Sequence, residues 1–445
     1  MEAHRCACAT TGCAMNDSQK KLLIQTLAAD RPAYVPNYEH FKPGDTVLYS
    51  GPFWDNRELE LAMEALLQGS WLTVGEYTVR FQNKFAQACN VKHAHMVNSG
   101  SSANLVMIAA VKKRLGWKDG DEVIVSPVGF PTTIAPLLQN GLKPVFVDIE
   151  MDTLNFDTSK IRGAITDKTV AILVSPVLGN PPDMDWLVYL ADFFKIKLLG
   201  DHCDSLGTRW NDALLSDKYY AWTTSFFPAH HITTGEGGMV CSNDADVMKE
   251  VMSFCSWGRD CYCVGLANAL PCGTCKKRFS PWLSADGIDL VLDHKYIFTN
   301  IGYNLKPLDL QAAIGLAQLE KLPEIEIKRR MHKEIISKVI AQLGAVRSAA
   351  HLEQSDPCWF GVPIVCDTNE IRLSLITQLE ANKIQTRPYF AGNLLRHPAY
   401  KHLADAADFP NADLALSRVF FIGCPPHYNE AVLKYIEQVL LSWKK

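Results

Sequence analysis

Four short apolar runs constrain this chain most. Residues 122–126, 144–148, 170–175 and 197–201 are each bounded by turn residues, with helical stretches between several of them. Strands that read as continuous apolar runs are buried on both faces, so the rhythm predicts an α/β fold with a mostly parallel central sheet covered by helices. Ligands of such sheets bind beyond the carboxyl ends of the strands. Ahead of the sheet, Asp55-Asn56-Arg57-Glu58 followed by Leu59, Met63, Leu66 and Leu67 predicts a capped helix. Beyond it, residues 309–343 predict a long helix in which Gln311, Ala312, Ala313 and Gly315 allow close packing. A chain of 445 residues is ordinary for a large domain with a small one. We expect an N-terminal arm at 1–42, a large domain at 43–322 with an inserted cysteine loop at 258–280, and a small α/β domain at 323–445.

The net charge of −4 lacks the basic excess of a nucleic-acid binder. No stretch reaches the roughly 18 to 20 apolar residues of a membrane helix, and the first residues do not read as a secretion signal. A cytoplasmic protein without membrane or nucleic-acid partners is the expectation. In that reducing compartment its fourteen cysteines are core residues or metal ligands rather than disulfides. Cys6, Cys8 and Cys13 fall in the arm and carry no assigned role.

Three stretches carry chemistry. Residues 98–104 read Asn-Ser-Gly-Ser-Ser-Ala-Asn and run into an apolar helix, and free amides with hydroxyls at a helix start make an anion site. The run 197–201 delivers Asp201 to a sheet edge, where a carboxylate can pair with a protonated pyridine nitrogen. The most specific string is 225–238, Ser-Phe-Phe-Pro-Ala-His-His-Ile-Thr-Thr-Gly-Glu-Gly-Gly, with Ser225 five residues before His230.

That string resembles the cofactor segment of fold-type I sugar aminotransferases, the DegT/DnrJ/EryC1/StrS family, in which a serine binds phosphate and a lysine five residues later holds the cofactor. The resemblance runs through 98–104, 201–207 and 302–315 (Gly-Tyr-Asn-Leu-Lys-Pro-Leu-Asp-Leu-Gln-Ala-Ala-Ile-Gly) and covers roughly residues 43–445. It implies a fold-type I homodimer binding pyridoxamine 5'-phosphate (PMP). Ser101, Ser102 and Ser225 would hold the phosphate, Phe130 would stack on the ring, and Asp201 would bind its nitrogen. Asp204 stands where the family often has glutamine near the ring hydroxyl. Asn304 would reach the phosphate in the partner subunit.

His230 stands at the lysine position. An amine can hold the cofactor covalently, whereas imidazole only moves protons, so the cofactor would be bound non-covalently in its amine form, with a base of near-neutral pKa beside it. This exchange resembles that of the NDP-hexose 3-dehydrases and implies removal of the C3 hydroxyl from an NDP-4-keto-6-deoxyhexose in deoxysugar biosynthesis. An ordinary transaminase would need a lysine near 230, and none lies between Lys218 and Lys249. For adjacent His231 a structural role is the expectation.

Among enzymes with that histidine, one kind carries a 2Fe-2S cluster, and four thiolates are what such a cluster requires. Cys203, Cys261 and Cys263 match the iron–sulfur dehydrase spacing. Cys275 is the expected fourth ligand, although a short insertion precedes it and Cys272 competes. Electrons would come from a flavin or iron–sulfur reductase. Two rivals remain: a metal-free deaminating dehydrase that recycles PMP with glutamate, and a non-catalytic member that binds sugar nucleotide or regulates a partner.

Overall fold

The structure, a computed structural model, describes residues 16–29, 38–68, 72–261, 283–285, 288–290 and 293–444. Cys263, Cys272, Cys275, most of the expected cysteine loop and the three N-terminal cysteines lie outside the described residues.

Seven strands form the central sheet: β1 (His93–Val97), β2 (Glu122–Val125), β3 (Lys143–Phe146), β4 (Thr169–Val174), β5 (Lys197–Asp201), β6 (Ala221–Ser225) and β7 (Gly238–Ser242). They lie in the order β1-β7-β6-β5-β4-β2-β3. The five from β6 to β3 are parallel, and β7 runs antiparallel between β6 and β1. All four apolar runs are therefore strands, within a residue or two of their expected bounds.

Side chains alternate across the sheet. Met96, Ile124, Ile172, Val174, Leu198 and Trp222 enter one core, while Val97, Val123, Val125, Ala171, Leu173 and Leu199 enter another. With successive residues pointing to opposite faces, two buried faces demand the unbroken apolar runs that the sequence displays.

Helices supply both covers. α1 (Asn56–Gln68), α2 (Glu76–Ala88) and the long α5 (Asp309–Ile340) serve the first core; α3 (Gly100–Leu115) and α4 (Pro131–Gln139) serve the second. The cap at Asp55 forms as expected: its amide donates to Glu58 Oε2 at 2.9 Å, and Arg57 N–H donates to Asp55 Oδ1 at 2.7 Å. A Cβ at Gly315 would stand 2.7 Å from the Phe81 ring, so glycine lets α5 and α2 approach.

The proposed 322/323 boundary falls inside α5, at Pro323. Ala312, Ala313 and Leu316 pack in the large core, whereas Ile336, Val339 and Ile340 pack against a second sheet. That sheet is antiparallel, with β8 (Val346–Ser348), β9 (Gly361–Cys366), β10 (Thr386–Pro388) and β11 (Val419–Gly423) in the order β8-β9-β11-β10.

Under this sheet both ring nitrogens of His427 are buried without hydrogen-bond partners among the described residues, against the rings of Tyr38 and Tyr428. Burial, aided by the charge of Arg329, pushes this imidazole down to about 3. The unfolded chain takes up a proton there below about pH 6.5 and the folded one does not. The stability that follows is complete above the unfolded pKa and is lost progressively as pH falls from there toward the folded value of about 3. In His427→Phe the fall in melting temperature from pH 7.5 to 5.5 should be smaller than in the parent by about 2 °C. Parallel melting curves would show that His427 does not contribute to the acid limb.

Candidate active site

A cavity of about 360 Å³ opens where β5 and β6 end and α3 begins. Its walls include Ser99, Gly100, Ser101, Phe130, Asp201, Cys203, Asp204, Ser225 and His230. Of the residues singled out in the sequence, Ser101, Phe130, Asp201, Asp204, Ser225, His230 and Cys203 thus come together.

Two glycines allow this convergence. A Cβ at Gly100 would stand 2.4 Å from Ser225 Cβ, and one at Gly238 would stand 2.5 Å from the Ser99 carbonyl oxygen. The start of α3 can therefore rest on the end of β6 and on its ladder partner Gly238. Ser99 caps α3, its hydroxyl accepting from Ser102 N–H at 3.1 Å. Ser102 does not line the cavity; its Oγ accepts from Ser99 Oγ at 3.0 Å. Ser101 Oγ donates to Thr132 Oγ1 at 3.1 Å. The first-turn amides of α3, which have no intrahelical partners, and the positive end of its dipole make this corner suited to a phosphate.

Asp201 ends β5 and is 4% exposed. Its Oδ2 accepts from Asn104 Nδ2 at 2.8 Å and Thr133 Oγ1 at 2.7 Å, and its Oδ1 accepts from Cys203 N–H at 3.2 Å. Thr223 Oγ1 donates to Asn104 Oδ1, which turns the amide NH₂ toward the carboxylate. These donors are all neutral. A buried carboxylate so arranged suits a cationic partner, as the nitrogen of a protonated pyridine ring is. Phe130 is half exposed at the start of α4, in the cavity wall rather than in the core.

The loop after β6 is pinned from several sides. Ser50 Oγ donates to the Ala229 carbonyl at 2.6 Å, Thr233 N–H donates to Gln318 Oε1 at 3.1 Å, and Arg329 Nη2 donates to the His230 carbonyl at 3.2 Å. The His230 ring lies 5.3 Å from that of Phe360. His231 Nε2 donates to the buried Cys358 carbonyl at 2.8 Å, a structural contact.

The charge state of His230 differs from the near-neutral base expected. Burial, and then the charge of Arg329, push its imidazole down to about 3, with the Cys203 backbone acting the other way. Burial and the charge of Asp201 push the Asp204 carboxyl up to about 7, so the near-neutral group is Asp204. His230 Nδ1 and Asp204 Oδ1 stand 3.6 Å apart, outside hydrogen-bond range. His230 is therefore neutral and able to accept a proton, and an anion bound beside it would raise its basicity.

Two assigned residues stand elsewhere. Asn304 does not line this cavity; it pairs with Ser256 in an isolated bridge and accepts from Lys306 Nζ at 2.6 Å. Cys261 is buried. Among the described residues no group of three or more His, Cys, Asp or Glu side chains is placed to hold a metal ion.

The sequence model of the DegT/DnrJ/EryC1/StrS aminotransferase family matches residues 55–440. This chain belongs to that family. Its DegT/DnrJ/EryC1/StrS relatives include the lipopolysaccharide biosynthesis protein RfbH of Salmonella typhimurium, 39% identical over 87% of this chain and 89% of that one. The dTDP-4-dehydro-2,6-dideoxy-D-glucose 3-dehydratase of Saccharopolyspora spinosa is 36% identical over 98% of this chain and 94% of its own. Among solved structures, a histidine-to-asparagine variant of GDP-4-keto-6-deoxymannose-3-dehydratase (ColD) with bound GDP-perosamine superposes with a TM-score of 0.78 at 30% identity, over 89% of this chain and 100% of that one. The fold is that of the fold-type I, PLP-dependent aminotransferases, and a neighbouring GDP-4-keto-6-deoxy-D-mannose-3-dehydratase structure from E. coli holds hydrated PLP. No helix among the described residues is long and apolar enough to cross a membrane.

Several wall residues carry no signal in the sequence. Tyr49, Phe227, Phe360 and Phe390 enclose the cavity, yet each reads locally as one more aromatic. Asn104 and Thr133 were legible only as neighbours of the serine motif and of Phe130.

Proposed function

We propose that this chain is a PMP-dependent dehydrase that removes the C3 hydroxyl of an NDP-4-keto-6-deoxyhexose. The observation that carries this reading is His230 in the cavity wall with Asp201, in a lining that contains no lysine among the described residues. A transaminase needs an amine at that place; an imidazole carries protons alone. The relatives named as 3-dehydratases support the substrate class.

When bound, PMP supplies an amine that condenses with the keto group and a ring that takes up electrons. Ser101 and Ser225 would hold its phosphate at the start of α3, with Ser102 behind them, bonded to Ser99; Phe130 would face its ring, and Asp201 would pair with the ring nitrogen. Asp204 would stand by the ring hydroxyl. His230 would accept the proton whose loss expels the C3 hydroxyl. Asn304, outside this cavity, would serve the partner subunit of a homodimer in the cytoplasm.

Cys203, Cys261, Cys263 and Cys275 would hold a 2Fe-2S cluster, which would supply single electrons taken from a flavin or iron–sulfur reductase. The placement of Cys203 supports this, because it is one of the residues of the cavity wall. Burial and the charge of Asp201 hold that thiol well above its usual pKa, a condition that a bound metal cation would reverse.

Anaerobically reconstituted protein should contain about two irons per chain and show a thiolate-to-iron absorption band. With a reductase it should convert a CDP-, dTDP- or GDP-linked 4-keto-6-deoxyhexose to the 3-deoxy sugar. An amino sugar as product would overturn the dehydrase reading. A second reading, in which glutamate renews the amine without iron, draws on a neighbouring 3-dehydratase structure that holds a PLP–glutamate geminal diamine. Iron-free protein that turns over with glutamate would establish it instead.

A further inference from the structure

Arg329, on the part of α5 that faces the second sheet, is 0% exposed. Its Nη2 donates to the His230 carbonyl at 3.2 Å, and its Nη1 donates to the carbonyls of Trp359 and Phe360 at 3.3 and 3.0 Å. Its Nε has no hydrogen-bond partner among the described residues. Desolvating a guanidinium is expensive, and three neutral carbonyls return only part of that cost. Were packing the only requirement, an apolar side chain of similar volume would fill this place with less penalty.

What the guanidinium joins is specific. One carbonyl belongs to the loop that carries His230, and two belong to the segment that enters β9 and carries Phe360, whose ring faces the His230 imidazole. These segments are distant in sequence and lie against different sheets. A planar fork with fixed donor directions sets both their separation and their relative orientation, which a lysine ammonium, a point charge on a flexible stem, cannot do.

We infer that Arg329 is a positioning residue whose fork holds the His230 main chain and the Phe360 ring in register, and so fixes where the imidazole meets the reacting proton. This rests on the reading of His230 as the proton carrier. Of the groups assigned to the cofactor, Asp201 and the serines at the start of α3 make no hydrogen bond to Arg329, and Asp204 feels only its charge, which Arg329→Lys keeps. A loss of register should therefore slow proton movement without releasing the cofactor.

Arg329→Lys keeps the charge, and Arg329→Gln keeps an amide donor without it; whichever variant melts further above the assay temperature carries the test. In the cofactor-free, ¹⁵N-histidine-labelled protein, the ring signals of His230, identified by their loss in His230→Asn, should shift while those of exposed His402 stay in place. In the loaded protein, PMP affinity should stay within about threefold, while solvent exchange at the cofactor methylene falls about 10- to 100-fold. The same Arg329 substitution made in His230→Asn should cause no further loss. Unshifted His230 signals, parent-like exchange, or affinity and exchange falling together would overturn the inference, the last because it marks a purely structural staple. Parent-like exchange in His230→Asn alone would instead sink the proton-carrier reading, and the cofactor-free spectra would still report on the register.

Discussion

A His230→Asn variant is expected to bind PMP and yet exchange its methylene protons with solvent about 10³-fold more slowly than the parent. Asparagine is smaller than histidine and polar, so the loop held by Ser50, Gln318 and Arg329 has no reason to move. What disappears is the proton acceptor. Asp204 is the nearest alternative at 3.6 Å, but a carboxyl raised to about 7 is half protonated at neutral pH. If Asp204 served instead, exchange in the variant would rise with pH through 7 and approach the parent rate. Loss of deuterium from labelled PMP, followed by NMR, separates the cases.

The second large effect concerns Gly100. In Gly100→Ala the new methyl would lie 2.4 Å from Ser225 Cβ and 3.0 Å from Ser225 Cα. Ser225 cannot retreat easily, because it pairs with Gly238, which already touches the Ser99 carbonyl. Either α3 withdraws or the end of β6 bends, at a cost of about 2 kcal/mol in stability. Because Ser101 and Ser225 would no longer face one site, PMP affinity should drop about tenfold or more. Gly163→Ala is the matched control: its methyl meets open space, and the change should be neutral or slightly stabilising. Thermal melting and cofactor titration of the two variants decide the matter; equal behaviour would show that the contact of α3 with β6 is not required.

Much of this architecture is legible in the sequence. An apolar run with both faces buried is a local property, so β2 to β5 could be read with their approximate ends. The cap at Asp55 and the close packing at Gly315 likewise depend on neighbours in sequence or on one small residue along a helix. The residue types in the site were legible for a similar reason: Ser225 and His230 lie in one short loop, and Asp201 ends a recognisable strand.

Tertiary structure alone decided what surrounds those residues. Phe360 and Phe390 come from the second sheet region, and Arg329 from the middle of a 32-residue helix, where a basic residue ordinarily reads as a solvated face. The depression of His230 and the elevation of Asp204 arise from burial and from charges distant in sequence, and a dielectric environment has no local signature. The sequence by itself determined which groups could bind a phosphate, pair with a ring nitrogen or move a proton. Folding decided which of them share one cavity and in what charge state, because distance and desolvation are set by elements hundreds of residues apart.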